Sequence, residues 1–342
     1  MSELLESINP FDTAQVIVSA HETALYMYLR RAPDMEVTSV WIRNLRPAPE
    51  ALDVEGLRRG KPPCNPRQQC RSPEAGAIPD PDALRVVWLP GGNGVALYEG
   101  DVLLAIIPPW SGQEGFNGYA REAVGTGPMA WELRPDNALI ERFRDAERYW
   151  AAWEAPDFWT RHREALVRQY ERAFGPSSNY YAADGGEWPP RAIVRIPHED
   201  GVLVLTVGIS LLQQPGVEGH ADLGAWRRIE LGAYLPGGWP EASVKRFLGY
   251  LAAQANLPWQ HSTWLGPGHT VPCDAWKRAS FDTTVLVEAH PALAPVRLDE
   301  VDKDPVNLLW LLPLTSDERD EAEARGSDVV VAKLNKHRWR EA

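Results

Sequence analysis

Residues 227–256, RRIELGAYLPGGWPEASVKRFLGYLAAQAN, place a strand directly before a helix, and that juxtaposition decides the fold class. The run from Trp226 to Leu235 is rich in aliphatic and aromatic side chains and reads as a strand. Pro240 can begin a helix at its first position, where a missing N–H is harmless. That helix runs to about Asn256. On the N-terminal side, Arg191 to Ile196 and Val202 to Ile209 read as strands. On the C-terminal side, Thr283 to Ala289 and Asn307 to Leu312 do the same. Thr315 and Glu318 form a capping box, T-x-x-E, for a final acidic helix that ends at Gly326. Strands mixed with helices predict a sheet domain of the α/β or mixed α+β class.

Two helices precede this region. Asp136 or Asn137 can cap the first, which runs to about Trp153 with Leu139, Ile140, Phe143, Ala146 and Trp150 near one face. The second starts near Asp157 and stops at Gly175, with Phe158, Ala165, Leu166, Tyr170 and Phe174 on its buried side. They are expected to join two domains, 1–150 and 151–336. The first third reads as β-structure, with strands at Ala14 to Ser19, Thr23 to Arg30 and Val37 to Asn44. A Pro-rich loop spans residues 60–82 and forms a basic island with Arg58, Arg59, Lys61, Arg67 and Arg71. It reads as a solvated loop, with an acidic surface on a partner or on the other domain as the second reading. Leu84 to Leu89, Val95 to Tyr98 and Val102 to Ile107, separated by glycine turns, form a meander. The loop PPWSGQEGFNGYA, residues 108–120, holds Trp110 and Phe116 on an irregular backbone, for recognition or as a plug of the domain's own core.

With 342 residues, two domains are the default. No secretory signal is recognised at the start, and the longest apolar runs fall far short of the roughly 20 residues that span a bilayer. Both features predict a cytoplasmic protein. Cys64, Cys70 and Cys273 make no disulfide framework. Cys64 and Cys70 read as loop thiols, with pairing or half a metal site as the alternatives. The formal charge of −12, from 47 acidic and 35 basic residues, repels nucleic acid and anionic membranes and favours basic partners. Fifteen tryptophans supply core area first and binding anchors second.

Catalytic signatures stop at near misses. After His21-Glu22 the second metalloprotease histidine is replaced by Leu25. Gly56 to Lys61 has short glycine spacing for a phosphate loop, and Pro62 stands where the hydroxyl residue belongs. The PGGNG turn leads into a strand instead of a helix, and no G-x-S-x-G elbow is present. His261 and His269 flank HSTWLGPGHT without an acidic or cysteine neighbour to complete a metal site. The expectation is no enzyme, no cofactor and no metal.

The series RRIELGAYLPGGWPEASVKRFLGYLAAQAN, then LGPGHTVP, then VNLLWLLPLTSDERDEA resembles the suppressor-of-fused domain, over most of residues 150–335. SVWIRNLRPAP and IIPPWSGQEGFNGYA look like the extra region of longer bacterial members. The resemblance implies a sheet covered by helices, preceded by a β-rich N-terminal domain, with no established catalytic activity. Eukaryotic relatives restrain a transcription factor by gripping a short peptide, and bacterial relatives imply an immunity role against polymorphic toxins. Tyr250 falls where the eukaryotic groove has a helix tyrosine. Gly268 replaces an acidic residue of that groove, so the same peptide specificity is not implied.

The expected function is therefore protein–protein interaction, most concretely an immunity-type protein that neutralises a basic toxin domain. The alternatives are a scaffold holding a linear peptide between its domains, and an enzyme with an unfamiliar site. Candidate partner-binding residues are Trp110, Phe116, Trp239, Tyr250, Trp264, His269 and Trp276.

Overall fold

A computed structural model describes residues 2–32, 36–219, 224–334 and 338–340. Contacts gather into two compact units, one reaching from the start to Ala152 with Trp259–Ser262, the other comprising Trp153–Pro258 and the chain from Thr263 onward. The strands and helices of both units together are of the expected mixed α+β class.

In the first unit, β1 (Ser2–Ile8), β2 (Ala14–Ala20), β3 (Ala24–Arg31) and β4 (Glu36–Asn44) form an antiparallel sheet in sequence order. A short helix α1 (Val54–Arg58) follows, capped by Asp53, whose carboxylate accepts from the Gly56 N–H at 2.8 Å. Then β5 (Leu84–Trp88), β6 (Val95–Glu99), β7 (Val102–Ile107), β8 (Tyr119–Ala120) and β9 (Trp131–Glu132) make a five-stranded sheet. Side chains alternate across a strand, and β6 uses both faces. Val95 and Leu97 enter a core with Val16, Val18, Met27, Leu29 and Val40 of the first sheet. Ala96 and Tyr98 turn the other way, toward helix α2 (Ala138–Trp153) and its Leu139, Phe143 and Ala146. Asn137 accepts from the Leu139 N–H at 3.0 Å, as a cap should. Tyr149 is buried on this helix, while Trp150 lies half-buried with its indole N–H on the Trp88 carbonyl at 2.7 Å.

The Pro-rich loop is tied down by side chains. The Asn44 amide donates to the Asn65 carbonyl at 2.9 Å, and the Cys70 thiol faces the same carbonyl at 3.3 Å. Cys64 and Cys70 are both free thiols, so the pairing alternative is corrected. Three members of the basic island already have acidic neighbours: Arg58 with Glu55, Arg67 with Glu50 and Arg71 with Glu132.

The second unit opens with α3 (Phe158–Phe174), which ends at Gly175 with φ +98°. Its sheet runs through β10 (Asn179–Ala182), β11 (Ala192–His198), β12 (Gly201–Val207), β13 (Arg228–Pro236), β14 (Thr270–Pro272), β15 (Thr283–Val287) and β16 (Val306–Leu314), in the spatial order β10-β11-β12-β13-β16-β15-β14. Between β13 and β14 lie α4 (Glu241–Gln254) and the short α5 (Leu257–Gln260); α6 (Ser316–Arg325) and α7 (Ser327–Val331) follow β16. β13 and β16 pair in parallel, which requires a crossover connection, and α4, α5, β14 and β15 supply it. One face of the sheet, with Val194, Leu205, Val285 and Leu312, packs on Leu166, Tyr170 and Phe174 of α3 and on Ala322 and Val330. Helix α4 lies across β11 and β12 and buries Val244, Phe247, Leu248 and Leu251. Pro240 is the cap of α4 and not its first helical residue, because its ψ of 142° is extended.

Candidate protein-binding surface

Three of the expected contact residues meet around a side chain that the sequence did not single out. Phe247 is fully buried on α4; its ring lies 6.2 Å from Trp239, 4.7 Å from Trp276 and 5.7 Å from Tyr250. Helical spacing sets this arrangement, since 247 and 250 are three residues apart and share a face. Trp276 is buried, with its indole N–H shared between the Thr283 carbonyl and the Thr284 hydroxyl, each at 3.2 Å. It supports the surface from beneath and offers a partner no exposed ring. Trp239 and Tyr250 are half-buried and form the part of the cluster a partner can touch. The Tyr250 hydroxyl is buried beside the Cys273 thiol and the Thr284 hydroxyl without a well-formed hydrogen bond, and burial raises its pKa. Arg246 reaches the carbonyl of Trp276 at 3.3 Å and fastens the 273–276 segment to α4.

Trp264 and His269 form a second pair, with ring centroids 4.5 Å apart. Their loop is held at several backbone points. The Gln214 side chain is buried; its amide donates to Leu265 O at 3.0 Å while its carbonyl accepts from Leu265 N at 2.8 Å. Gly268 N donates to Leu286 O at 2.7 Å, and Leu286 N donates back to His269 O at 2.9 Å. Gly268 has φ +81°, a conformation glycine adopts without strain. A loop so fixed loses little freedom when it meets a partner.

Trp110 and Phe116 belong to the first unit. Trp110 is half-buried against the α2-facing core. Phe116 is buried and packs its ring 5.0 Å from Tyr119 and 4.7 Å from Trp131, so it plugs the domain's own core, the alternative left open for this loop. The exposed aromatic here is Trp131, at 37%. Its exposure comes from a two-residue strand at the sheet edge, which no local pattern announces.

The residues with chemical character lie elsewhere, inside the second unit. Glu230 on β13 has no exposed surface and takes four contacts: the Thr206 hydroxyl at 2.6 Å, the Gly208 N–H at 2.9 Å, and the Ser210 N–H and hydroxyl at 3.0 and 2.7 Å. Burial pushes its carboxyl up to about 7. His162 of α3 sits 3.4 Å from the Ser210 hydroxyl, and burial with the nearby Arg228 charge lowers it to about 4. Arg228, also fully buried, contacts Asp304 at 3.1 Å, Asp302 at 3.0 Å and the Ser210 carbonyl at 3.0 Å. Serine, histidine and carboxylate are all present, yet the serine donates straight to the carboxylate and the histidine orients neither. Glu230 exposes no atom to a substrate, and Ser210 is buried too. The network locks the turn after β12 to β13. Among the described residues, no group of three or more His, Cys, Asp or Glu is placed to hold a metal ion, and no helix is long and apolar enough to cross a membrane.

Comparison with known proteins adds family to geometry. Residues 187–340 match the family described as suppressor of fused protein. A crystal structure of a Sufu–Fu complex aligns at 14% identity and TM-score 0.37, covering 52% of this chain and 85% of that one. A structure of Drosophila Suppressor of Fused gives the same identity and TM-score over 52% of this chain and 47% of the Drosophila chain. No curated protein sequence matches. Residues 187–340, from the approach to β11 through the last described turn, thus form a suppressor-of-fused-like domain.

Proposed function

We propose that this chain is a non-catalytic protein-binding protein, and that its second unit contacts the partner through Trp239, Tyr250, Trp264 and His269. The observation that carries the reading is the rigid aromatic surface on α4 and its neighbouring loop, backed by buried Phe247 and Trp276. Rings already held in place pay little entropy on binding and supply large contact area. The family match supports a binding role, and one solved relative is described as a complex of Sufu with Fu. The closed Glu230–Ser210–His162 network supports the non-catalytic part, since its carboxylate touches no solvent.

The partner we infer is a basic toxin domain, neutralised in the manner of an immunity protein. The charge of −12 favours a cationic partner and speeds its encounter. The test is titration of any toxin domain found encoded beside this gene with the purified chain while the toxin's activity is followed; an adjacent toxin gene would itself support the reading. Trp239→Ala should weaken binding by about 2 kcal/mol, a larger effect than its loss of folding stability, as a half-buried anchor at the surface of its cluster does. Lack of capture and lack of protection for every neighbouring toxin domain would overturn the immunity reading. Full affinity in both Trp239→Ala and Tyr250→Ala would remove this surface.

A further inference from the structure

Strand β10 ends the sheet of the second unit, with β11 as its ladder partner. The Ala183 N–H donates to the Arg191 carbonyl at 2.8 Å in continuation of that register. Alternation along an antiparallel ladder then points Tyr181 toward β11 and turns the N–H and C=O of Tyr180 and Ala182 to the open side. Natural proteins usually blunt such an edge with charge, proline or a covering element. This one instead carries aromatic surface. Among the described residues, the exposed large hydrophobic side chains of the second unit are Tyr180 at 45% and Trp188 at 42%, and they flank the edge on either side of the 183–187 turn.

A groove of about 350 Å³ lies beside it, lined by Arg163, Glu164, Val167, Arg168 and Glu171 of α3 together with Ser177, Tyr180 and Val194. Tyr180 pairs with Val194, whose side chain faces α3, and the Arg163 guanidinium stands 5.6 Å from the Tyr180 ring. The added-strand residue opposite Tyr180 would therefore point into the groove. In an acidic protein, α3 is a basic element, with Arg161, Arg163, Arg168 and Arg172 against Glu164 and Glu171. Glu164 is shared between Arg163 at 3.5 Å and Arg168 at 3.7 Å, while Glu171 is engaged by the Ser177 hydroxyl at 2.6 Å.

We propose that β10 accepts an extended acidic segment of a partner protein as an eighth strand, with an aliphatic side chain seated on Tyr180 and Val167 and acidic side chains two residues to either side of it, on the same face, meeting Arg163 and Arg168. The mode is strand addition, in which main-chain hydrogen bonds supply affinity and alternate side chains supply specificity. A second copy of the chain fits less well, because edge-to-edge pairing would set the basic face of α3 against itself. This surface differs from the aromatic one on α4, and neither requires the other.

The probe is a fluorescein-labelled octapeptide, Ser-Glu-Thr-Val-Thr-Glu-Thr-Ser, whose glutamates share a face with the valine, compared on the full chain with the same peptide carrying lysine in place of glutamate. Anisotropy should show saturable binding of the acidic peptide, at least about tenfold tighter than the lysine peptide, since like charges across an interface are penalised. Arg163→Glu with Arg168→Glu should reverse that preference. Ala182→Pro removes an outward N–H that serves no ladder bond, and should cost the acidic peptide about tenfold or more at unchanged melting temperature. On the unmodified chain, amide exchange at Tyr180 and Ala182 should slow when the acidic peptide is added, a readout independent of how any variant folds. Equal binding of both peptides, no saturation by the acidic one, or full affinity of a folded Ala182→Pro chain would overturn the proposal. So would a concentration-dependent dimer that Ala182→Pro dissolves. Trp239→Ala, which tests the α4 surface, should leave this binding intact.

Discussion

Glu230 shows what a single residue can be made to do by burial. Its carboxyl is lifted from an ordinary 4.5 to about 7 because its charged form has lost water, even though four donor groups surround it. A pKa raised on folding contributes stability that is complete below 4.5 and lost as pH climbs through 7. His162 has the opposite sign, because its lowered pKa contributes stability above 6.5 that is lost as pH falls toward 4. The two nearly cancel in the native protein, so the variant must be compared with it. Urea unfolding of Glu230→Gln, relative to wild type, should improve by roughly 3 kcal/mol between pH 4.5 and pH 7.5. A pH-independent difference would mean that Glu230 is ionised in the fold throughout. Trp276→Ala belongs to the same scale: with its ring buried among Trp239 and Phe247, it should cost about 3–5 kcal/mol of stability in the same measurement. A loss under about 1 kcal/mol would place the ring at the surface.

At the scale of elements, the legible ones are those whose local chemistry agrees with their tertiary setting. β6, β7, β12, β13 and β16 are apolar runs, and nearly all their residues are buried. The capping box of α6 is present as read: Thr315 Oγ1 accepts from the Glu318 N–H at 3.3 Å, and the Glu318 carboxylate accepts from the Thr315 N–H at 2.8 Å. Thr315→Ala should therefore lose about 1 kcal/mol in urea unfolding, and an unchanged midpoint would show that packing alone holds α6. The missed strands share a physical cause. β1, β10 and β14 are edge strands, and their side chains are largely exposed or half-buried. A strand with one ladder partner and little buried face carries no alternation to read. β8 and β9 have two residues each and exist through their neighbours.

For the whole molecule, the charge of −12 is a property of the field and says nothing about fold. It predicts that association with a cationic partner domain slows at least about tenfold between roughly 0.02 and 0.5 M salt, as screening shortens the reach of that field. Stopped-flow mixing checks this, and a rate indifferent to salt would leave the aromatic surface as the whole basis of recognition. The resemblance carried by residues 227–256 and the segments after it agrees with the family match over 187–340. Candidate site residues were less legible than fold. Trp239 and Tyr250 stand at the surface of their cluster, whereas Trp276 and Phe116 lie inside, and the composition of a Trp-rich loop is the same in either case.

Composition, periodicity and caps by themselves determined the mixed class, most strands and the principal helices, because each depends on neighbours a few residues away. Only the tertiary structure decided which rings face out, that Phe247 is their hub, and that Glu230 has Ser210, Thr206 and His162 around it. Burial and hydrogen bonding join residues far apart in the chain, such as Arg228 and Asp304, and their cost or benefit is set by the water that folding removes.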